Sequence, residues 1–137
     1  NCCEKAIQIE PNYASAYNNL GASLKEIGKF RKAIVCFQKA IKIQPNFELA
    51  YQNLGLTFQN LRDFRQALNC WKKAIQIQPH LAKLHGNLGK LYVILGDHKK
   101  AINYYKKALK YVVAFIRIGT RALFEIKLYA KNGIAIV

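Results

Sequence analysis

The sequence contains no methionine, only three prolines, and seven acidic residues against 22 lysines and arginines in 137 positions. No uninterrupted apolar run approaches the ~18 residues of a membrane-spanning helix, so a membrane span within this sequence is excluded. The opening residues, NCCEKAIQIEP, have no basic head followed by an apolar stretch and do not read as a secretory signal. There is no glycine-rich phosphate loop, no nucleophile elbow and no paired-carboxylate motif, so no catalytic role is expected. The four cysteines form no C-x-x-C pair and have no histidines clustered near them, so neither a zinc site nor any other metal or cofactor is expected. With 52% hydrophobic residues the chain is not a disordered one, and its length suits one domain.

The three prolines open what is present. Pro11, Pro45 and Pro79 stand 34 residues apart, and the surrounding sequence repeats at the same step. Tyr17, Leu20, Gly21, Leu24, Ala33, Phe37, Ala40 and Pro45 return as Tyr51, Leu54, Gly55, Phe58, Ala67, Trp71, Ala74 and Pro79. A third copy has His85, Leu88, Gly89, Tyr92, Ala101, Tyr105 and Ala108, with Val113 in the place of proline. The pattern aromatic-x2-Leu-Gly-x2-large-hydrophobe, then Ala-x3-aromatic and a closing proline, resembles the tetratricopeptide repeat family. That resemblance covers Asn1 to about Phe115 and implies an all-α, right-handed superhelical solenoid of antiparallel helix pairs.

Each unit reads as two helices. Tyr17, Leu20, Gly21, Leu24 and Ile27 recur at helical steps, Gly28-Lys29 interrupts them, and Phe30, Ala33, Ile34, Phe37, Ala40 and Ile41 resume the rhythm. Pro45 then ends the second helix. The expected organisation is a second helix of a truncated preceding repeat (1–13), repeats at 14–47, 48–81 and 82–115, and a C-terminal capping helix or divergent partial repeat (116–137). The opening partway through a repeat and the absence of an initiator methionine suggest a fragment of a longer protein. With Val113 replacing proline, the last repeat helix is expected to run to about Ile118. Gly119 is expected to break it, and Thr120 to cap a further helix ending near Asn132-Gly133. A sticky tail is the alternative to a cap. Gly21, Gly55, Gly89, Ala33, Ala67 and Ala101 are expected to let paired helices approach closely.

Cys2, Cys36 and Cys70 occupy one repeat position. Stacked hairpins separate such positions by about 10 Å, too far for a disulfide. They read as small buried hydrophobes in a reducing compartment, and a cytoplasmic location is expected. The net charge of +15 raises nucleic acid or an acidic surface as a partner. However, Lys39, Lys73, Lys107, Arg31, Arg65 and Lys99 all lie on second helices, which line the convex side in this family. A solvated outer face is the plainer reading, and nucleic acid is disfavoured.

The inner wall belongs to the first helices, where Asn19, Asn53 and Asn87 each precede a Leu-Gly pair. Equivalent positions about 10 Å apart make a ladder along a groove. A carboxamide offers donors and an acceptor and can grip a peptide backbone of any sequence. The ladder, with His85 to Gly89 (HGNLG), is similar to the repeat arms of O-linked N-acetylglucosamine transferases. That similarity carries over to the three asparagines only. The alternative is that these asparagines cap or bridge neighbouring helices. Asn18, Gln52, Lys83 and Lys90, together with Lys25, Gln59 and Asn60, are expected to face the groove, and Leu56, Val93 and Ile94 to add apolar contact. A carboxylate clamp, another mode of the family, matches at Lys83 and Asn53 but not at Asn18, Ala22 and Asn87. His85 and His98 read as half-buried packing residues.

The expectation is therefore a non-catalytic module that binds a protein or peptide ligand, not a small-molecule substrate. The targeting arm of a glycosyltransferase and a convex-face binder of RNA or acidic partners are the rivals. Partial repeats at both ends also allow head-to-tail self-association.

Overall fold

A computed structural model describes residues 13–131, with side chains to residue 121. Regular structure among the described residues is entirely helical. It comprises α1 (Ala14–Glu26), α2 (Phe30–Ile43), α3 (Glu48–Asn60), α4 (Phe64–Ile77), α5 (Ala82–Ile94) and α6 (His98–Lys131). Consecutive pairs form antiparallel hairpins, and the hairpins stack as a right-handed superhelical solenoid. The expected half-repeat at 1–13, with Cys2 and Cys3, and the stop at Asn132-Gly133 lie outside the described residues.

One local device closes every hairpin. Gly28, Arg62 and Gly96 adopt φ of 74°, 59° and 78° at equivalent positions. Beside them, the N–H groups of Lys29, Asp63 and Asp97 donate to the carbonyls of Leu24, Phe58 and Tyr92 at 2.9 Å. This is the Schellman arrangement, which satisfies last-turn carbonyls and reverses the chain. Asp63 and Asp97 then cap the next helix: their Oδ1 atoms accept from the Gln66 and Lys100 N–H groups at 3.2 and 3.0 Å. Lys29 fills the same place without a side-chain cap.

Within a hairpin, an aromatic ring lies against a bare glycine. A Cβ at Gly21 or Gly89 would come within 2.7 Å of Phe37 Cε1 or Tyr105 Cε1, and one at Gly55 would collide with Trp71 Nε1. Ala33 and Ala67 are wholly buried and Ala101 nearly so, as the small-residue pattern anticipates. Between hairpins, Leu54 of α3 joins Ala33 and Phe37 of α2 in one apolar cluster. Leu84 and Leu88 of α5 join Ala67, Trp71 and Ala74 of α4 in another. Each unit therefore borrows one wall of its core from the next, as solenoid repeats must.

The C-terminal region departs from expectation. Helix α6 does not end near Ile118; it runs unbroken through Gly119 to Lys131. Thr120 is interior to it rather than a cap, and its Oγ1 donates to Arg117 O at 3.0 Å. One exposed glycine costs a helix only about 1 kcal/mol, too little by itself to end it. His98 is also corrected: it is exposed, whereas Phe30 and Phe64 at the equivalent places are half-buried.

Candidate functional site

The three ladder asparagines occupy equivalent places on α1, α3 and α5 but have different surroundings. Asn19 is exposed, while Asn53 and Asn87 are half-buried. Asn53 Nδ2 donates to Asn18 Oδ1 across the repeat boundary at 3.1 Å. Asn87 Nδ2 is buried with no hydrogen-bond partner. In register, Gln52 stands to Asn87 as Asn18 stands to Asn53. Its longer side chain does not reproduce the bond.

Asn18 and Gln52 are corrected as groove-facing residues. They are 3% and 5% exposed. One helical residue rotates a side chain by about 100°, and that step turns both from the open face into the packing between first helices. From there Asn18 Oδ1 accepts from Asn53 Nδ2 and fixes that carboxamide. The Gln52 main-chain carbonyl also accepts from Trp71 Nε1 at 3.3 Å, which ties the inner helix to the largest core side chain. Thr57 Oγ1 donates to the Asn53 carbonyl at 2.7 Å, satisfying a buried hydroxyl within α3.

Lys83 and Lys90 are exposed, as are Val93 and Ile94, while Leu56 is half-buried against the central core. Burial pushes the Glu48 carboxyl above its ordinary value, and the Lys83 charge only partly opposes this. Glu48 Oε1 is itself buried without a partner.

His85 packs where an aromatic residue belongs. It is 3% exposed, its ring centroid lies 5.2 Å from that of Tyr111 and 6.0 Å from that of Tyr104, and Nε2 is 2.8 Å from Pro79 O. Among the described residues no three of His, Cys, Asp and Glu converge as metal ligands. Cys36 and Cys70 are free thiols. Burial, with a smaller contribution from the Asp63 carboxylate, pushes Cys70 up to about 11. The second-helix cations Arg31, Lys39, Arg65, Lys73, Lys99 and Lys107 are all exposed. Lys39 lies over the Tyr17 ring at 4.9 Å and Lys107 over Tyr104 at 5.5 Å, so part of this charge is held by cation–π contact within the solenoid.

Two family models, both described as tetratricopeptide repeat, match residues 14–47 and 47–111. Together they cover well over half of the sequence, and the chain belongs to the tetratricopeptide repeat family. Solved structures agree. A crystal structure of MamA superposes with a TM-score of 0.80 at 27% identity, covering 84% of this chain and 67% of that one. Another crystal structure of MamA protein gives 0.74 at 26% identity, covering 98% and 66%. MamA 41-end from Desulfovibrio magneticus RS-1 gives 0.75 at 25% identity, covering 82% and 63%. The chain thus spans about two thirds of the length of these structures. No curated protein matches the sequence. No helix among the described residues is long and apolar enough to cross a membrane.

Proposed function

We propose that this chain is a non-catalytic protein- or peptide-binding module. An extended segment lies along the inner wall of the solenoid, and Asn19, Asn53 and Asn87 pair with its backbone. The bond from Asn53 to Asn18 supports this reading most directly. A planar carboxamide whose nitrogen is held inward turns its oxygen away from that partner, where it can accept a ligand N–H. Asn18 serves from below as a positioning residue for Asn53. Lys83 and Lys90 supply charge at the rim, and Val93 and Ile94 supply apolar contact.

The test uses a peptide selected on the intact chain from a random-peptide library. Alanine at Asn19, Asn53 and Asn87 together weakens it by roughly tenfold or more, the loss of two to three net hydrogen bonds. Alanine at Asn19 and Asn87 alone gives an intermediate loss without lowering Tm, because neither residue holds a partner across the repeats. Unchanged affinity in a folded triple variant rejects the mechanism.

The glycosyltransferase-arm reading keeps two supports, the ladder and the HGNLG segment, and a sugar-nucleotide-binding domain in the complete reading frame decides it. The RNA reading rests on the exposed second-helix cations. It predicts homopolymer binding that falls steeply with salt, and absence of binding at about 50 mM salt ends it. A reducing, cytoplasmic setting accords with the free thiols of Cys36 and Cys70.

A further inference from the structure

Helix α6 carries an apolar stripe whose counterparts elsewhere in the solenoid are covered. In the 34-residue register, Ile102, Tyr105 and Leu109 stand where Leu68, Trp71 and Ile75 stand on α4, and Ile34, Phe37 and Ile41 on α2. Phe37 and Trp71 are 0% exposed, packed beside the next first helix at Leu54 and at Leu84 and Leu88. Tyr105, by contrast, is 41% exposed and Leu109 63%. Val112, Val113 and Ile116, also exposed, prolong the stripe. All six residues fall within a sector of about 100°, the width of a core-facing helical face.

Among the described residues no helix covers this face. After α2 and α4 it turns at Pro45 and Pro79 and returns as the next first helix. The register places a further first helix at 116–128, and those residues are instead the continuation of α6.

Charge specifies what fits. Lys99, Lys106, Lys110 and Arg117 follow at steps of 7, 4 and 7, so they form one exposed row beside the stripe. No acidic residue occurs from His98 to Arg121. A groove of about 500 Å³ lies along the seam, lined by Lys106, Leu109, Lys110, Val113, Ala114 and Arg117. A second copy suits it poorly. Each copy carries +15, and α5 contributes Lys83 and Lys90 with no acid.

We propose that this face docks an amphipathic α-helix of a partner protein. The partner helix is apolar along one stripe, acidic along the flank, and crosses α6 as α5 crosses α4. The surface is separate from the asparagine groove and does not depend on it.

The test titrates the full chain with three helical probe peptides of ~20 residues, long enough to hold helix in water. One has a leucine stripe flanked by glutamates, one the same stripe flanked by lysines, and one a scrambled glutamate sequence. The glutamate-flanked helix binds roughly tenfold or more tightly than either control, and its advantage shrinks as salt rises. Leu109→Ser with Ile116→Ser removes that binding, and circular dichroism checks that the fold survives these exposed changes. The variant with alanine at Asn19, Asn53 and Asn87 binds the probe as the parent does. Equal binding of the two flanked peptides, or indifference to the serine changes, overturns the proposal. So does a dimer in sedimentation that Leu109→Ser dissolves and the acidic probe leaves intact, since a second copy then occupies the face.

Discussion

Asn18 and Asn53 form a pair that a double-mutant cycle can isolate. Alanine at either leaves the other's polar group half-satisfied near the interior, and the coupling should be about 1 kcal/mol. The same cycle on Gln52 and Asn87 should give a coupling near zero, because Asn87 Nδ2 has no partner. Urea unfolding of the two cycles checks both numbers, and equal couplings would mean that the ladder is uniform. The asparagine recurrence was legible in the sequence, but the division of labour was not. Whether an amide faces ligand or neighbour depends on one residue of helical rotation and one methylene of length, which periodicity does not encode. Cys70 carries a second residue-scale prediction. Its thiol is held at about 11 against an ordinary 9.0, because burial penalises the thiolate. A raised folded-state value means that this contribution to stability is complete below pH 9 and is lost as pH rises toward 11. Iodoacetamide at pH 8 should therefore label Cys70 far more slowly in the folded chain than in urea. Replacing Cys70 with alanine should flatten the alkaline fall in Tm, and an unchanged profile would assign that fall to other groups.

The helices and their hairpin partners could be read from local signals, namely three- and four-residue apolar steps, glycine at Gly28 and Gly96, and proline at Pro45 and Pro79. The middle turn was legible in position but not in conformation. Arg62 holds φ of 59° where the flanking turns have glycine, a geometry that costs a side-chain-bearing residue roughly 1–2 kcal/mol. Arg62→Gly should relieve most of that, offset by about 0.5 kcal/mol or more of unfolded-chain entropy. The expected outcome is a rise in Tm of a few degrees by calorimetry, whereas Gly28→Arg should lower it. A fall in Tm for Arg62→Gly would show that the Arg62 side chain makes contacts outweighing its strain. The full extent of helix α6 was not legible, because a single glycine and a threonine are weak stops when nothing nearby supplies a terminating cap. Its Ala101, Tyr104 and His85-facing Tyr111 anchor one side, and no local rule reports that the other side stays open.

At the scale of the whole molecule, stability should grade from the centre outward, because each unit contributes its own term and one for each neighbour. Trp71 is the only tryptophan and is wholly buried between Gly55 and the α5 leucines. Its fluorescence therefore reports the middle repeat alone, while far-UV circular dichroism reports every helix. Every side chain from Val112 to Arg121 is exposed, so that stretch of α6 has few apolar contacts to delay its opening. In rising urea the helical signal should begin to fall before the Trp71 emission shifts. Among the described residues, amide exchange should be fastest from Val112 to Arg121 and slowest in α3, α4 and α5. An acidic amphipathic helix bound to the open stripe should bring the two transitions together, since it supplies the missing neighbour term. Coincident transitions in the free chain would mean that the exposed half of α6 is coupled to the core as tightly as a covered repeat. The open face would then have no energetic deficit for a partner to fill.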